Sequence, residues 1–222
     1  MNSLTKMALG LIGQLKPQPA IGDLATVLEL PPAKTSGGMP LMDALSLRQS
    51  RREFLPEALA PQMLADLLWA AAGVNRAELG GRTSPSAMNS QEVQLYVALP
   101  EGLFQYAGAS HQLKRITATD VRRVTGYQDF VDSAPLDFIY VADHARMTMV
   151  SAAQRESYAF AAAGAMAQNV YLFCASAGLA TVIRAWFDRD ALTAAMGLNP
   201  DQQVLLAQTV GCSETSRSTD SA

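Results

Sequence analysis

Three polar segments interrupt otherwise apolar stretches of the chain. The first is Arg48-Gln49-Ser50-Arg51-Arg52-Glu53-Phe54. Arg48, Ser50 and Arg52 recur at a spacing of two, which puts them on one side of an extended chain. Two guanidiniums and a hydroxyl there would make a phosphate clamp. The alternative is a solvated basic helix end, where cations complement the dipole. The second, Arg82 to Gln91, sets small hydroxyl and amide residues around Pro85. It would form a loop offering donors and acceptors to a polar ring, although surface turns favour the same residues. The third, Gly178–Asp188 (GLATVIRAWFD), places Arg184 in an apolar setting and follows the most hydrophobic helix. A backbone N–H in such a turn can meet the edge of a flat ligand; the alternative is a plain connection with Arg184 snorkelling outward. His111 and His144 lack the orienting partner that a catalytic base needs, so both read as turn or surface residues.

Common catalytic signatures do not appear. The chain has no GxGxxG after a strand, no GxxxxGK[ST], no HExxH, no CxxC and no GxSxG. Its 222 residues carry a formal net charge of −3, 49% hydrophobic residues and 17% charged ones. That composition supports a sizeable core and gives no electrostatic footprint for nucleic acid. Cys174 and Cys212 are too few for a disulfide framework or a zinc site, and they suit a reducing, cytoplasmic setting. No apolar run reaches the roughly 20 residues that span a bilayer. Met7–Leu15 reads as a short amphipathic helix, with a secretory signal as the alternative.

The elements that must carry these segments follow from periodicity. Residues 1–40, with five prolines after residue 16 and the pair Gly37-Gly38, form an arm that lies on another surface or frays. A helix from Met42 runs into Arg48. A second starts at Ala60-Pro61 and stops at Gly73. Val93–Leu99 is a strand, and Gly102–Tyr106 with His111–Ile116 completes a meander. Thr119–Phe130 reads as an amphipathic helix and Asp137–Ala142 as a buried strand. Ser157–Ala177 is a charge-free helix expected to be buried nearly all round. Thr181–Ile183 is a tight strand or turn, Arg189–Met196 a short helix, and Gln203–Val210 the last strand. Residues 41–212 form one α+β domain, and 213–222 a polar tail.

The three segments, in this order, resemble the FMN-dependent nitroreductase family. Arg48, Ser50, Arg52 and Phe54 match an opening signature close to R-x-S-x-[RK]-x-F. Pro85, Ser86, Asn89 and Gln91 match one close to P-S-x-x-N-x-Q. Met166–Gly178 (MAQNVYLFCASAG) resembles the family's long central helix, and Thr209-Val210-Gly211 the end of its last core strand. Leu67–Gly73 and Gly102–Tyr106 look like the branch of thiazoline and oxazoline dehydrogenases.

The resemblance implies a central, mixed but mostly antiparallel sheet flanked by helices, and a homodimer with FMN at its interface. By resemblance, Arg48, Ser50 and Arg52 hold the flavin phosphate, ribityl chain and ring oxygens. Pro85, Ser86, Ala87 and Asn89 contact it from the other subunit. Ile183, Arg184 and Ala185 approach its reactive edge, where Arg184 departs from the acidic residue or glycine common in the family and would bring a cation to the ring. Arg217 is the only late basic residue available to the phosphate. The implied activity is two-electron transfer from NAD(P)H through FMN to an electron-poor acceptor such as a nitroaromatic or quinone, with ping-pong kinetics and no dedicated side-chain base. Oxidation of azoline-type rings in peptides, or flavin binding without turnover, are the alternatives.

Overall fold

In the computed structural model, described for residues 1–22 and 24–213, the chain opens with helix α1 (Ser3–Leu11) and two short strands, β1 (Gln18–Pro19) and β2 (Val27–Glu29). Helices α2 (Leu41–Leu47) and α3 (Pro61–Ala72) follow, then β3 (Val74–Arg76), β4 (Gly81–Arg82), β5 (Val93–Leu99), β6 (Gly102–Ala107), β7 (Gln112–Thr117) and β8 (Thr119–Asp120). The second half holds β9 (Leu136–Asp143), the long helix α4 (Ala152–Ala177), β10 (Ala180–Arg184), α5 (Arg189–Met196) and β11 (Gln202–Gly211). Seven strands join one sheet in the order β10-β11-β9-β5-β6-β7-β2. All its pairings are antiparallel, so the mostly antiparallel sheet expected from the sequence has no parallel pair among the described residues.

Two apolar layers cover the sheet. Helices α3 and α4 pack on one face with Leu67, Leu68, Phe104, Phe138 and Tyr140. On the other face, α5 and Leu15 pack with Leu103, Ile139 and Phe187. Helix α4 buries Ala159, Ala162, Ala163, Met166, Ala167, Val170 and Cys174, a spacing of three and four that forms one stripe. Its small alanines bring the backbone close to the sheet. The opposite stripe, Ser157, Ala161, Gly164 and Gln168, is exposed. Absence of charge over Ser157–Ala177 therefore does not mean burial within one chain, and the expectation of burial all round fails on that stripe. Gly178 ends α4 in the left-handed region (φ 69°), and Leu179 N–H bonds back to the Cys174 carbonyl at 2.8 Å.

Two further expectations are revised. Residues 119–130 do not form a helix: β8 is followed by short 3-10 turns at 122–124 and 129–132. The Asp120 carboxylate accepts from both the backbone N–H and the guanidinium of Arg122 (3.0 and 2.9 Å), a local bond that competes with helical pairing. The proline-rich arm also takes a defined place on its own chain. Its β2 pairs with β7 at the sheet edge, and β1 pairs with β8. No helix among the described residues is long and apolar enough to cross a membrane.

Candidate functional site

Arg48 is the C-cap of α2, its N–H bonded to the Ala44 carbonyl at 3.0 Å. There the chain turns extended and runs along strand β10, where Arg51 N–H donates to the Thr181 carbonyl (3.0 Å) and Leu55 N–H to that of Cys212 (2.8 Å). These bonds fix the register of the first segment. The Arg48 guanidinium lies 5.2 Å from the centre of the Tyr171 ring, within cation–π range. Ser50 Oγ shares a 2.7 Å hydrogen bond with the Tyr171 hydroxyl, which also accepts from Ile183 N–H at 3.0 Å. Tyr171 thus joins the first segment to the third. The sequence reading did not single it out, although a tyrosine hydroxyl among the aliphatic residues of the second half of this helix was a usable signal.

Arg52 is not part of that group. It lines a cleft of about 550 Å³ with Phe54, Asp129 and Phe130, a lining that includes neither Arg48 nor Ser50.

Alternation along β10 separates Ile183 from Arg184. Ile183 packs toward α4. Arg184 is buried on the opposite side, its Nη2 2.5 Å from Asp137 Oδ1 and 3.4 Å from Thr125 Oγ1, with Phe130 against the guanidinium. Burial pulls its pKa below the ordinary arginine range, and Asp137 acts against that shift. The expected free cation at this turn is therefore an internal ion pair, and what β10 offers on the α4 side near position 184 is backbone. Gly126 is required beneath it, because a Cβ there would come within 2.5 Å of Arg184 Nη1. Ala185 is exposed, its carbonyl accepting from Arg189 Nη1 at 3.2 Å.

The second segment is anchored by α4 through Asn169, whose Nδ2 donates to the Ala70 and Thr83 carbonyls (3.1 and 3.2 Å). Its loop holds itself together. Ser86 Oγ accepts from Gln91 N–H (3.0 Å), and Gln91 Nε2 donates to the Gly80 carbonyl (2.6 Å) and Asn89 Oδ1 (3.1 Å). Met88, Asn89 and Gln91 all have φ near +50°. Three non-glycine residues in this region store on the order of 1–3 kcal/mol each, and such strain clusters at functional sites. Pro85, Ser86 and Ala87 rest against Tyr158, Ala161 and Ala162 of α4, lining an apolar cleft of about 240 Å³. Arg217 lies outside the described residues.

Both signature segments therefore dock on α4, one at Tyr158–Ala162 and the other at Tyr171. Thirteen residues of helix separate Tyr158 from Tyr171, about 20 Å at 1.5 Å per residue. From Ala162 the separation is nine residues, about 14 Å, so the two segments dock at distinct points of the helix.

The profile described as Nitroreductase family matches residues 45–212. "Putative nitroreductase MJ1384" of Methanocaldococcus jannaschii is 33% identical over 161 residues, covering 68% of this chain and 81% of that protein. The crystal structure of a "putative nitroreductase" from Ralstonia eutropha JMP134 is 49% identical, superposes with a TM-score of 0.86, and covers 90% of this chain and 95% of its own. At 20% identity, a nitroreductase-type structure from Desulfovibrio desulfuricans, titled as a complex with FMN, shares the fold with a TM-score of 0.58 over 81% of this chain and 88% of that one. Profile, relatives and fold agree, and the chain belongs to the nitroreductase family.

Proposed function

We propose that two copies of the chain pair along α4 and enclose a flavin mononucleotide between the Arg48–Tyr171–Ile183 group of one copy and the Pro85–Asn89 loop of the other. One observation carries this reading: both signature segments dock on one helix, about 14–20 Å apart, with the exposed Gly164 and Gln168 between them. Antiparallel pairing of two such helices about a two-fold axis near Gly164 would set residue 158–162 of one copy beside residue 171 of the other, and each dimer would hold two composite sites. Gly164 suits that contact, since a Cβ there would meet nothing within 4 Å in the chain itself.

The residues present fit the cofactor. Arg48 pairs with no carboxylate among the described residues, so its charge is available to a phosphate. Ser50 adds a hydroxyl, and Tyr171 holds both in place. Ile183 and Ala185 offer an edge of backbone to a ring system. The strained Pro85 loop supplies a preformed wall and hydroxyl and amide groups. Asp137 keeps the Arg184 charge away from the ring side. When bound, the flavin would supply two-electron transfer from NAD(P)H to an electron-poor acceptor such as a nitroaromatic or quinone. The protein binds, orients and excludes water. One cleft serving donor and acceptor in turn implies ping-pong kinetics.

Purified protein is expected to be yellow and to release flavin on denaturation. Steady-state NAD(P)H oxidation with a quinone should give parallel double-reciprocal lines. Colourless protein that takes up no added FMN refutes the reading. Flavin that NAD(P)H fails to bleach would turn it toward oxidation of azoline-type rings.

A further inference from the structure

The central sheet is split at one end. Strand β5 pairs with β9 from Val93 to Ala98, and β6 pairs with β7 out to Ala107↔Gln112. The ladder between β5 and β6, however, ends at Tyr96↔Gln105. Beyond that pair, each strand follows its outer neighbour and a fork opens between them. Arg82 enters the fork and its Nη1 donates to the Val93 carbonyl at 3.2 Å, replacing a missing strand partner. Gln105 Nε2 donates to Gln94 Oε1 across the base at 3.0 Å.

The fork encloses a cleft of about 440 Å³, within the usual range for small-molecule sites. Three cations line it: Arg82, Lys114 and Arg146. The carboxamides of Gln94 and Gln105 and the backbone of the 107–110 turn complete the wall, which includes no carboxylate among the described residues. Glu92 is the acid whose charge acts on Arg82, and it is fully buried with Oε2 bound to Ser90 Oγ at 2.6 Å. Burial first, and then the like charge of Arg146, pull the Arg82 pKa below the ordinary arginine range. Converging cations with too few acids are relieved by an anion, and a guanidinium beside an ammonium suits phosphate oxygens.

We propose that this fork is a second binding site, distinct from the proposed flavin site, that takes the phosphate of a phosphorylated small molecule. Arg82 and Arg146 bracket the phosphate, Lys114 adds a point charge, and the two glutamines read the polar body of the ligand. The inference stands independently of the flavin reading.

The test titrates inorganic phosphate into FMN-saturated protein by calorimetry, so that any flavin-phosphate clamp is already filled. Saturable binding is expected. It should weaken about tenfold or more in Lys114→Gln/Arg146→Gln, a change of exposed side chains, and persist in Arg48→Ala. The side-chain amide NMR signals of Gln94 and Gln105 should shift with phosphate. Should the protein take up no flavin, the same titration in the Arg48→Ala background keeps the two clusters separate. Binding that survives Lys114→Gln/Arg146→Gln, or no saturation by about 10 mM phosphate, overturns the proposal.

Discussion

Removing one oxygen tests the organisation of the site. In Tyr171→Phe the ring remains, so packing and the Arg48 contact are kept. Two hydrogen bonds go: 2.7 Å to Ser50 Oγ and 3.0 Å from Ile183 N–H. Ser50 is exposed and can turn to water. Ile183 N–H is half-buried beneath a ring that is itself only 6% exposed, so it is left poorly satisfied. The expected loss is about 1–2 kcal/mol, mostly from the stranded N–H. For a chain of this length that corresponds to a fall in Tm of about 2–8 °C, measured at fixed protein concentration. Ser50→Ala should cost less than about 0.5 kcal/mol, because its partner keeps the other bond. The double variant should cost no more than Tyr171→Phe alone, a coupling of at most about 0.5 kcal/mol. Flavin retention should fall in parallel, since the same hydroxyl sets the height of both segments. A Tyr171→Phe protein with unchanged Tm and unchanged flavin retention would refute the view that this hydroxyl organises the site.

Arg48→Ala should weaken FMN retention by about 1.5–3 kcal/mol, the scale of a hydrogen bond to a charged group, read by equilibrium dialysis. Gly164→Arg should leave the folded chain intact, because its Cβ meets open space, yet convert dimer to monomer in sedimentation and cut flavin retention together. Asp137→Ala strands the Arg184 guanidinium in the interior and should cost about 3–5 kcal/mol in urea unfolding. The joint change Asp137→Leu/Arg184→Met should cost far less, since no uncompensated charge is left behind.

What the sequence made legible was local. The alanine-rich period of α4, the apolar run of β9 and the Gly73 and Gly178 stops are all recorded within a few neighbouring residues. The spacing of two at Arg48 and Ser50 likewise anticipated that they would share a surface. Long-range commitments left no such trace. Arg184 finds Asp137 across 47 positions, and no local pattern distinguishes that pair from a free cation. Arg52 lines a cleft with Asp129 and Phe130, and the backbone around it is held by the Thr181 and Cys212 carbonyls, contacts that arise only once the sheet has formed. The three-residue β2 sits among prolines, and only the waiting edge of β7 makes it a strand. Residues 119–130 carried a helical period, but the Asp120–Arg122 bonds diverted it.

Strand β10 is the edge of its sheet, and that position explains why a site can be built there. Its even-numbered residues face β11 with their backbone groups, so the odd-numbered ones turn theirs outward. The chain claims these outward groups in order. Arg51 takes the Thr181 carbonyl and Tyr171 takes the Ile183 N–H. Continuing the alternation, the next outward donor is Ala185 N–H, exposed and without a hydrogen bond to any described residue. An edge left open along its length would invite pairing with another strand. Here the first segment and a tyrosine cover it, and one donor remains past its end, on the side of the strand that they cover. A flat acceptor edge laid along that side would meet a single, fixed N–H, with its own cation directed away by Asp137. The Arg184–Asp137 pair and the Tyr171 bridge thus serve the same end: at this end of β10 they leave backbone, rather than charge, to face the ring in the proposed site.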